Sequence, residues 1–169
     1  RMLAFMDETL ARSRTDSAHD SPAVSTFAVT VDVAVLCVAE GSLQVLLLQR
    51  SEAPHLGMWA LPGGTMHRRE SLEQAAARVL VQAAGIGHAR ALAQVKAYGR
   101  PDRDPRYDAV TVCHIAVVRE PVAITVGAGG MNARFWPIGV VLDGGFPLAF
   151  DHEELLRDVQ RHVRAVIRT

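Results

Sequence analysis

Three groups of side chains in this sequence have the types and spacing to do chemistry. The first is the stretch from Leu61 to Ser71, where Pro62-Gly63-Gly64 is followed by Glu70 and, eight residues on, by Arg78. A Pro-Gly-Gly cluster breaks regular structure and lets backbone approach a partner closely. The second is the segment from Tyr98 to Arg106, a polar loop with two prolines that carries Arg100, Arg103, Asp104 and Arg106. Guanidinium forks there can bind phosphate or ribose oxygens bidentately. The competing reading is a self-paired turn on the surface, whose ion pairs would stabilise little. The third group is scattered: Asp32 interrupts an apolar run, Arg50 ends another, and His152 stands at the start of the last periodic segment. Asp32 is expected near a rim or cleft. His152 is read as a hydrogen-bonding neighbour at a helix start rather than as a catalyst.

These residues need elements to hold them. Ser71 is a good helix N-cap, with Gln74 three residues on to complete a capping box and Glu73 in the first turn, where negative charge suits the helix dipole. Leu72, Ala75, Ala76, Val79 and Leu80 recur at helical spacing, and Gly85 is a natural stop, so the pattern predicts a loop, a helix over 72–84 and a second loop. Residues 27–38 and 43–49 are two apolar strand-like runs joined by Glu40-Gly41-Ser42, which predicts a hairpin. Further strands are expected at 91–98, 109–118, 121–126 and 133–138, with flexible turns at 127–130 and 143–145. Trp59 reads first as core and second as a pocket wall. Asp151 and Glu154 suggest another capping box, opening a helix whose stripe is Leu155, Leu156, Val159, Val163, Val166 and Ile167. The pattern over 2–14 suits a short amphipathic helix, and 13–26 is rich in Ser, Thr, Asp, Ala and Pro, as in a linker. The segment 1–26 is therefore expected to be an arm or linker, and 27–169 the folded domain, the C-terminal helix included. Order alone implies mixed α and β.

The helix and its flanks resemble the Nudix box. That signature reads Gly, five residues, Glu, seven residues, Arg-Glu, an aliphatic, any residue, Glu-Glu, any residue, Gly and an aliphatic. Gly64, Glu70, Arg78, Leu80, Gly85 and Ile86 all fall on their positions, and Trp59-Ala60-Leu61-Pro62-Gly63-Gly64 is typical of the family. The loop Gly99-Arg100-Pro101-Asp102-Arg103-Asp104-Pro105-Arg106 between apolar strands, and Leu148-Ala149-Phe150-Asp151-His152 before a terminal helix, resemble one branch. That branch holds ADP-ribose pyrophosphatase-like proteins and Nudix-related transcriptional regulators of nicotinamide metabolism. The resemblance implies an α/β fold, a Nudix-type α/β/α sandwich around a mixed β-sheet. It also implies that Arg50, Gly63 and Gly64 face a nucleotide ligand together with Arg100, Arg103, Asp104 and Arg106.

The departures carry as much weight. The family's three helix glutamates fall here on Val79, Gln82 and Ala83, which share one helix face at i, i+3 and i+4. In active members that face holds Mg²⁺ or Mn²⁺ against a diphosphate, and hard cations need anionic oxygen ligands. The retained pair, Glu70 and Arg78, mainly braces the loop in the family. No catalytic residue and no metal are therefore expected; Glu70, Glu73 and Gln82 are the remaining candidates for a metal ligand, and a divalent cation enters only if the chain hydrolyses. Three functions follow: a domain that binds ADP-ribose or a related nucleoside-diphosphate-linked ligand without hydrolysis; an active Mg²⁺-dependent hydrolase, drawing ligands from Glu70, Glu73, Asp102, Asp104 or Asp108; and an inert dimeric scaffold.

The whole chain bounds these readings. Its 169 residues suit one domain with a proper core, 49% are hydrophobic, and 18 basic residues balance 18 acidic ones. A neutral balance argues against general nucleic-acid or membrane-surface attraction. No apolar run is long enough to span a bilayer and the start does not read as a signal peptide, so a cytoplasmic location is expected. Cys37 and Cys113, each within an apolar run, read as buried thiols. The resemblance implies a homodimer, and DNA as a partner only if a C-terminal winged helix follows the terminal helix in a longer chain.

Overall fold

The computed structural model describes residues 26–119, 121, 124, 126, 127 and 130–167. The expected helix at 2–14 lies outside the described residues, as do all but the last residue of the linker expected at 13–26 and 128 and 129 of the 127–130 turn. Of the strand expected at 121–126, residues 121, 124 and 126 are described and none is in a strand.

Among the described residues, seven strands form one mixed sheet. β1 (Ala28–Ala39) and β2 (Ser42–Arg50) make the expected hairpin. β3 (Trp59–Ala60) and β4 (Gly63–Thr65) follow, then helix α1 (Leu72–Ala84), β5 (Ala91–Tyr98), β6 (Ala109–Val117), β7 (Gly130–Pro137), the one-turn α2 (Ile138–Val141) and the terminal α3 (His152–Ile167). The order is β3-β2-β1-β6-β5, with β4 beside β1 and β7 beside β2. β1 and β6 run parallel, and the other pairs run antiparallel.

β1 is apolar on both faces because a helix covers each. Val31, Val33, Val35 and Cys37 pack under α1, against Ala75, Ala76, Val79, Leu80 and Ala84. Ala34 and Leu36 point the other way, towards Leu155, Leu156 and Val159 of α3. The two-residue period thus splits one strand between two cores. Cys37 and Cys113 are buried free thiols in opposite cores. Trp59 sits half-buried in an aromatic cluster with Trp136 and Phe146, its ring centroid 5.5 Å from that of Trp136. Among the described residues no helix is long and apolar enough to cross a membrane.

Three expectations need correction. Gly63-Gly64 is not loop but the short strand β4, paired with Asp32 and Val31 of β1; residues without side chains fit into the ladder beside Asp32. The α3 stripe ends early: Val166 and Ile167 are 64% and 78% exposed, because the helix has run past the sheet that covers Leu155 to Val163. Asp151 does not cap α3 with its side chain, since both carboxylate oxygens are taken by Arg103, and its carbonyl instead accepts from the amides of Glu154 and Leu155.

Candidate functional site

On the α3 side of the sheet, beside the open end of β1, lies a cleft of about 200 Å³. Thr30 and Asp32 of β1 wall it, and Leu61 to Thr65 cross beside them. Arg50 closes it from the end of β2, the loop 103–107 from above, and Phe150 and His152 from the start of α3. The strand period explains the polar wall: Thr30 and Asp32 share a face with Ala34 and Leu36, but they lie outside the part covered by α3.

Its floor is a buried polar network. Arg103 is 6% exposed and donates from Nε and Nη2 to the two oxygens of Asp151, at 2.9 and 2.8 Å. Its Nη2 also lies 3.7 Å from Asp32 Oδ2. The Thr111 hydroxyl donates to the same oxygen at 2.7 Å. The Leu61 amide donates to His152 Nδ1 at 3.0 Å, so the ring proton is on Nε2, which faces Asp32 Oδ1 at 3.5 Å. Burial pushes the His152 pKa down; the Asp32 and Asp151 carboxylates oppose that shift without overcoming it. His152 is therefore a neutral ring of fixed orientation.

The rim is cationic. Arg50 donates to the carbonyls of Pro54, at 2.8 Å, and Glu52, at 3.4 Å, and its Cζ lies 4.9 Å from the Phe150 ring centre. Arg106 approaches the same ring at 5.6 Å while gripping Asp104 with two bonds of 2.9 and 2.7 Å. Burial, followed by the nearby charge of Arg106, lowers the Arg50 pKa. Burial pushes the Asp104 carboxyl up, but hydrogen bonds from the Arg106 side chain and amide more than offset it, leaving Asp104 below its ordinary value. Phe150 holds its place at φ 54°, a left-handed conformation that is costly for a bulky residue and marks a tightly determined position.

Across Gly63 and Gly64 lies a second cavity of about 480 Å³, bounded by Arg78, Val79, Gln82 and Ala83 of α1. The expected helix caps are present: Ser71 and Gln74 bond reciprocally, and Gly85 is left-handed at φ 69°. Arg78 braces the preceding loop, donating to both Glu70 oxygens at 2.6 and 2.8 Å and to the Thr65 carbonyl at 2.9 Å. The Arg78 side chain and the His67 amide hold the Glu70 carboxyl down at about 2.

The expected ligand residues separate into groups. Arg50, Gly63, Gly64, Arg103, Asp104 and Arg106 all border the cleft, whereas Arg100 lines a different groove beside Lys96 and Glu153. Arg103 is spent on Asp151, and Asp104 on Arg106. Of Glu70, Glu73 and Gln82, only Gln82 borders the second cavity. Phe150, Thr111 and Tyr107 had no signal of their own in the sequence, although Leu148 to His152 stood out as a unit and Asp32 as a break in an apolar run.

A family profile described as NUDIX domain matches residues 27–158. The chain belongs to the Nudix family. Among curated relatives, the ADPR responsive transcriptional repressor NtrR of Acinetobacter baylyi is 35% identical over 131 residues, covering 76% of this chain and 51% of the repressor. The ADP-ribose pyrophosphatase of Methanocaldococcus jannaschii is 32% identical over 130 residues, 76% of this chain and 73% of that enzyme. This chain thus spans about half the length of the first relative. Among solved structures, the NUDIX domain of Shewanella oneidensis NrtR complexed with ADP ribose matches with a TM-score of 0.75 and 33% identity, over 93% of this chain and 97% of that one.

Nudix hydrolases use divalent cations, so the Nudix helix of this chain invites a test of fit. Its face towards Gly63-Gly64 offers two hydrocarbon side chains, Val79 and Ala83, and one amide, Gln82, whose Oε1 already accepts from Arg78 Nη1 at 3.1 Å. Mg²⁺ is held by carboxylates and substrate phosphates in near-octahedral geometry. This donor set does not match that need. Among the described residues, no three His, Cys, Asp or Glu side chains gather to hold an ion.

Proposed function

We propose that this Nudix domain binds ADP-ribose or a related nucleoside-diphosphate-linked compound in the cleft and leaves its diphosphate intact, acting as a sensing module. The observation that carries the reading is the contrast between two neighbouring surfaces. The cleft keeps two guanidiniums at its rim, Arg50 and Arg106, while the helix face across Gly63-Gly64 carries Val79, Gln82 and Ala83 in place of acid. A diphosphate at that rim would meet cations without a bound metal to complete its neutralisation. Arg50, whose own charge is disfavoured by burial and by Arg106, gains most from an anion. The ligand class comes from the relatives: one is named for its response to ADPR, and the Shewanella Nudix domain was solved with ADP ribose. A sensing module of this kind would work in regulation, with DNA as a partner only where a winged helix accompanies it.

The second reading is hydrolysis, favoured by the 32% identity to a pyrophosphatase. It requires carboxylates converging on the diphosphate, and Glu70, the one retained from the box, has both oxygens tied to Arg78. Incubation of ADP-ribose, NADH and nucleoside triphosphates with Mg²⁺ or Mn²⁺ separates the two. The sensing reading expects turnover no higher than in protein-free buffer. Turnover that rises with metal and enzyme concentration sinks it.

A further inference from the structure

We propose that Asp32 sets the specificity of the cleft, accepting a hydrogen bond from a sugar hydroxyl and keeping phosphate off the floor. This rests on the reading of the cleft as a nucleoside-diphosphate site.

Asp32 is 7% exposed, yet its carboxylate borders the cleft. Its two oxygens have different surroundings. Oδ2 is clasped by the Thr111 hydroxyl at 2.7 Å, with Arg103 at 3.7 Å, which fixes the plane of the group. Among the described residues, Oδ1 has no donor nearer than His152 Nε2 at 3.5 Å, beyond a good N–H···O bond. An ionised carboxylate only accepts, with about four lone-pair sites, so Oδ1 keeps acceptor capacity directed into the cleft. A hydroxyl that donates to an acceptor already fixed in orientation replaces a water there without having to order the carboxylate. Gly63 makes the approach possible: a Cβ there would stand 2.2 Å from Oδ1, so only glycine leaves this oxygen clear.

Charge settles what kind of group fits. A phosphate oxygen offers no proton and carries like charge, so Asp32 repels it. Arg106, at 44% side-chain exposure, sits outward of Asp32, at 10%. The cleft therefore orders its ligand with phosphates at the cationic rim and a neutral hydroxyl-bearing part at the floor. A sugar attached to a diphosphate has that pattern; inorganic pyrophosphate has only the first half.

The test is calorimetric titration of wild type and Asp32→Asn with ADP-ribose and, by competition, with inorganic pyrophosphate. The amide keeps the shape and the Thr111 contact but loses the charge and part of the acceptor capacity. ADP-ribose should weaken at least tenfold, while pyrophosphate binds as tightly as before or tighter. An equal loss for both ligands, or no loss for ADP-ribose, overturns the proposal. Thr111→Val, which frees Oδ2 and leaves the charge in place, should weaken ADP-ribose selectively, and it carries the test if Asp32→Asn fails to give a cooperative unfolding transition. Wild type that does not bind ADP-ribose refutes the function proposed above. Wild type that binds, with both variants unchanged in their preference between the two ligands, refutes this inference alone.

Discussion

Two of the arginines that border the cleft should respond to substitution in opposite ways. Arg103 is enclosed: its side chain is 5% exposed, bidentate to Asp151, itself 2% exposed, and 3.7 Å from Asp32. Arg103→Met would leave two carboxylates in a dry site with no cation between them. Breaking a buried pair in this way costs about 3–5 kcal/mol, a large part of the roughly 5–15 kcal/mol that holds a domain together. Arg50 donates to two carbonyls, of Pro54 and Glu52, and stacks on Phe150, so Arg50→Met strands no charge and should cost about 1 kcal/mol. Its effect on ligand should be the larger one: a lost charge-assisted contact of about 1.5–3 kcal/mol weakens binding about 10- to 150-fold. Urea unfolding at pH 7, paired with ADP-ribose calorimetry on each variant, reads both quantities. Adding Asp151→Asn to Arg103→Met should recover part of the stability, because one uncompensated charge is removed. The reasoning fails if Arg103→Met unfolds at the wild-type midpoint, or if Arg50→Met destabilises as much as Arg103→Met while keeping its affinity.

Other consequences follow from the same geometry. Gly63→Ala places a methyl 2.2 Å from Asp32 Oδ1, so the β1–β4 ladder must shift; a loss of about 1–3 kcal/mol in urea unfolding is expected, with weaker ADP-ribose binding. Restoring acid at the helix face with Val79→Glu, Gln82→Glu and Ala83→Glu together should create a Mn²⁺ site measurable by electron paramagnetic resonance, and no binding would mean that the Gly63-Gly64 strand has moved out of register with the helix. His152 has a folded pKa below its unfolded value of about 6.5, so the unfolded chain binds the extra proton. Stability should be full above about pH 6.5 and fall as pH drops below it, by at most about 1.4 kcal/mol per pH unit for this one group. His152→Asn should flatten that part of the pH–stability curve, and an unchanged slope would show that another group titrates there.

The parts of the site that were legible in the sequence are the local ones. Ser71, Gln74 and Gly85 mark the helix by chemistry that spans three or four residues, and Glu70 and Arg78 meet across a single turn and loop. What was not legible depends on partners far along the chain. Arg103 and Arg106 look alike in sequence, and they differ because Arg103 meets Asp151, 48 residues away, whereas Arg106 meets Asp104 beside it. Asp151 read as a helix cap for the same reason: the guanidinium that takes its carboxylate arrives from another loop. Asp32 announced itself as polar in an apolar strand, but its partner Thr111 lies 79 residues on, across the parallel β1–β6 pair. The strand β4 was hidden because two glycines signal a break, and only the proximity of the Asp32 side chain makes glycine the residue that fits a ladder there.

Phosphorus-31 NMR of ADP-ribose with this protein in stoichiometric amount and excess Mg²⁺ reads binding and cleavage together. The account predicts diphosphate resonances that shift and broaden on addition of protein and persist unchanged through prolonged incubation, with or without EDTA. Phosphomonoester signals that grow with time and vanish when EDTA is present would contradict it.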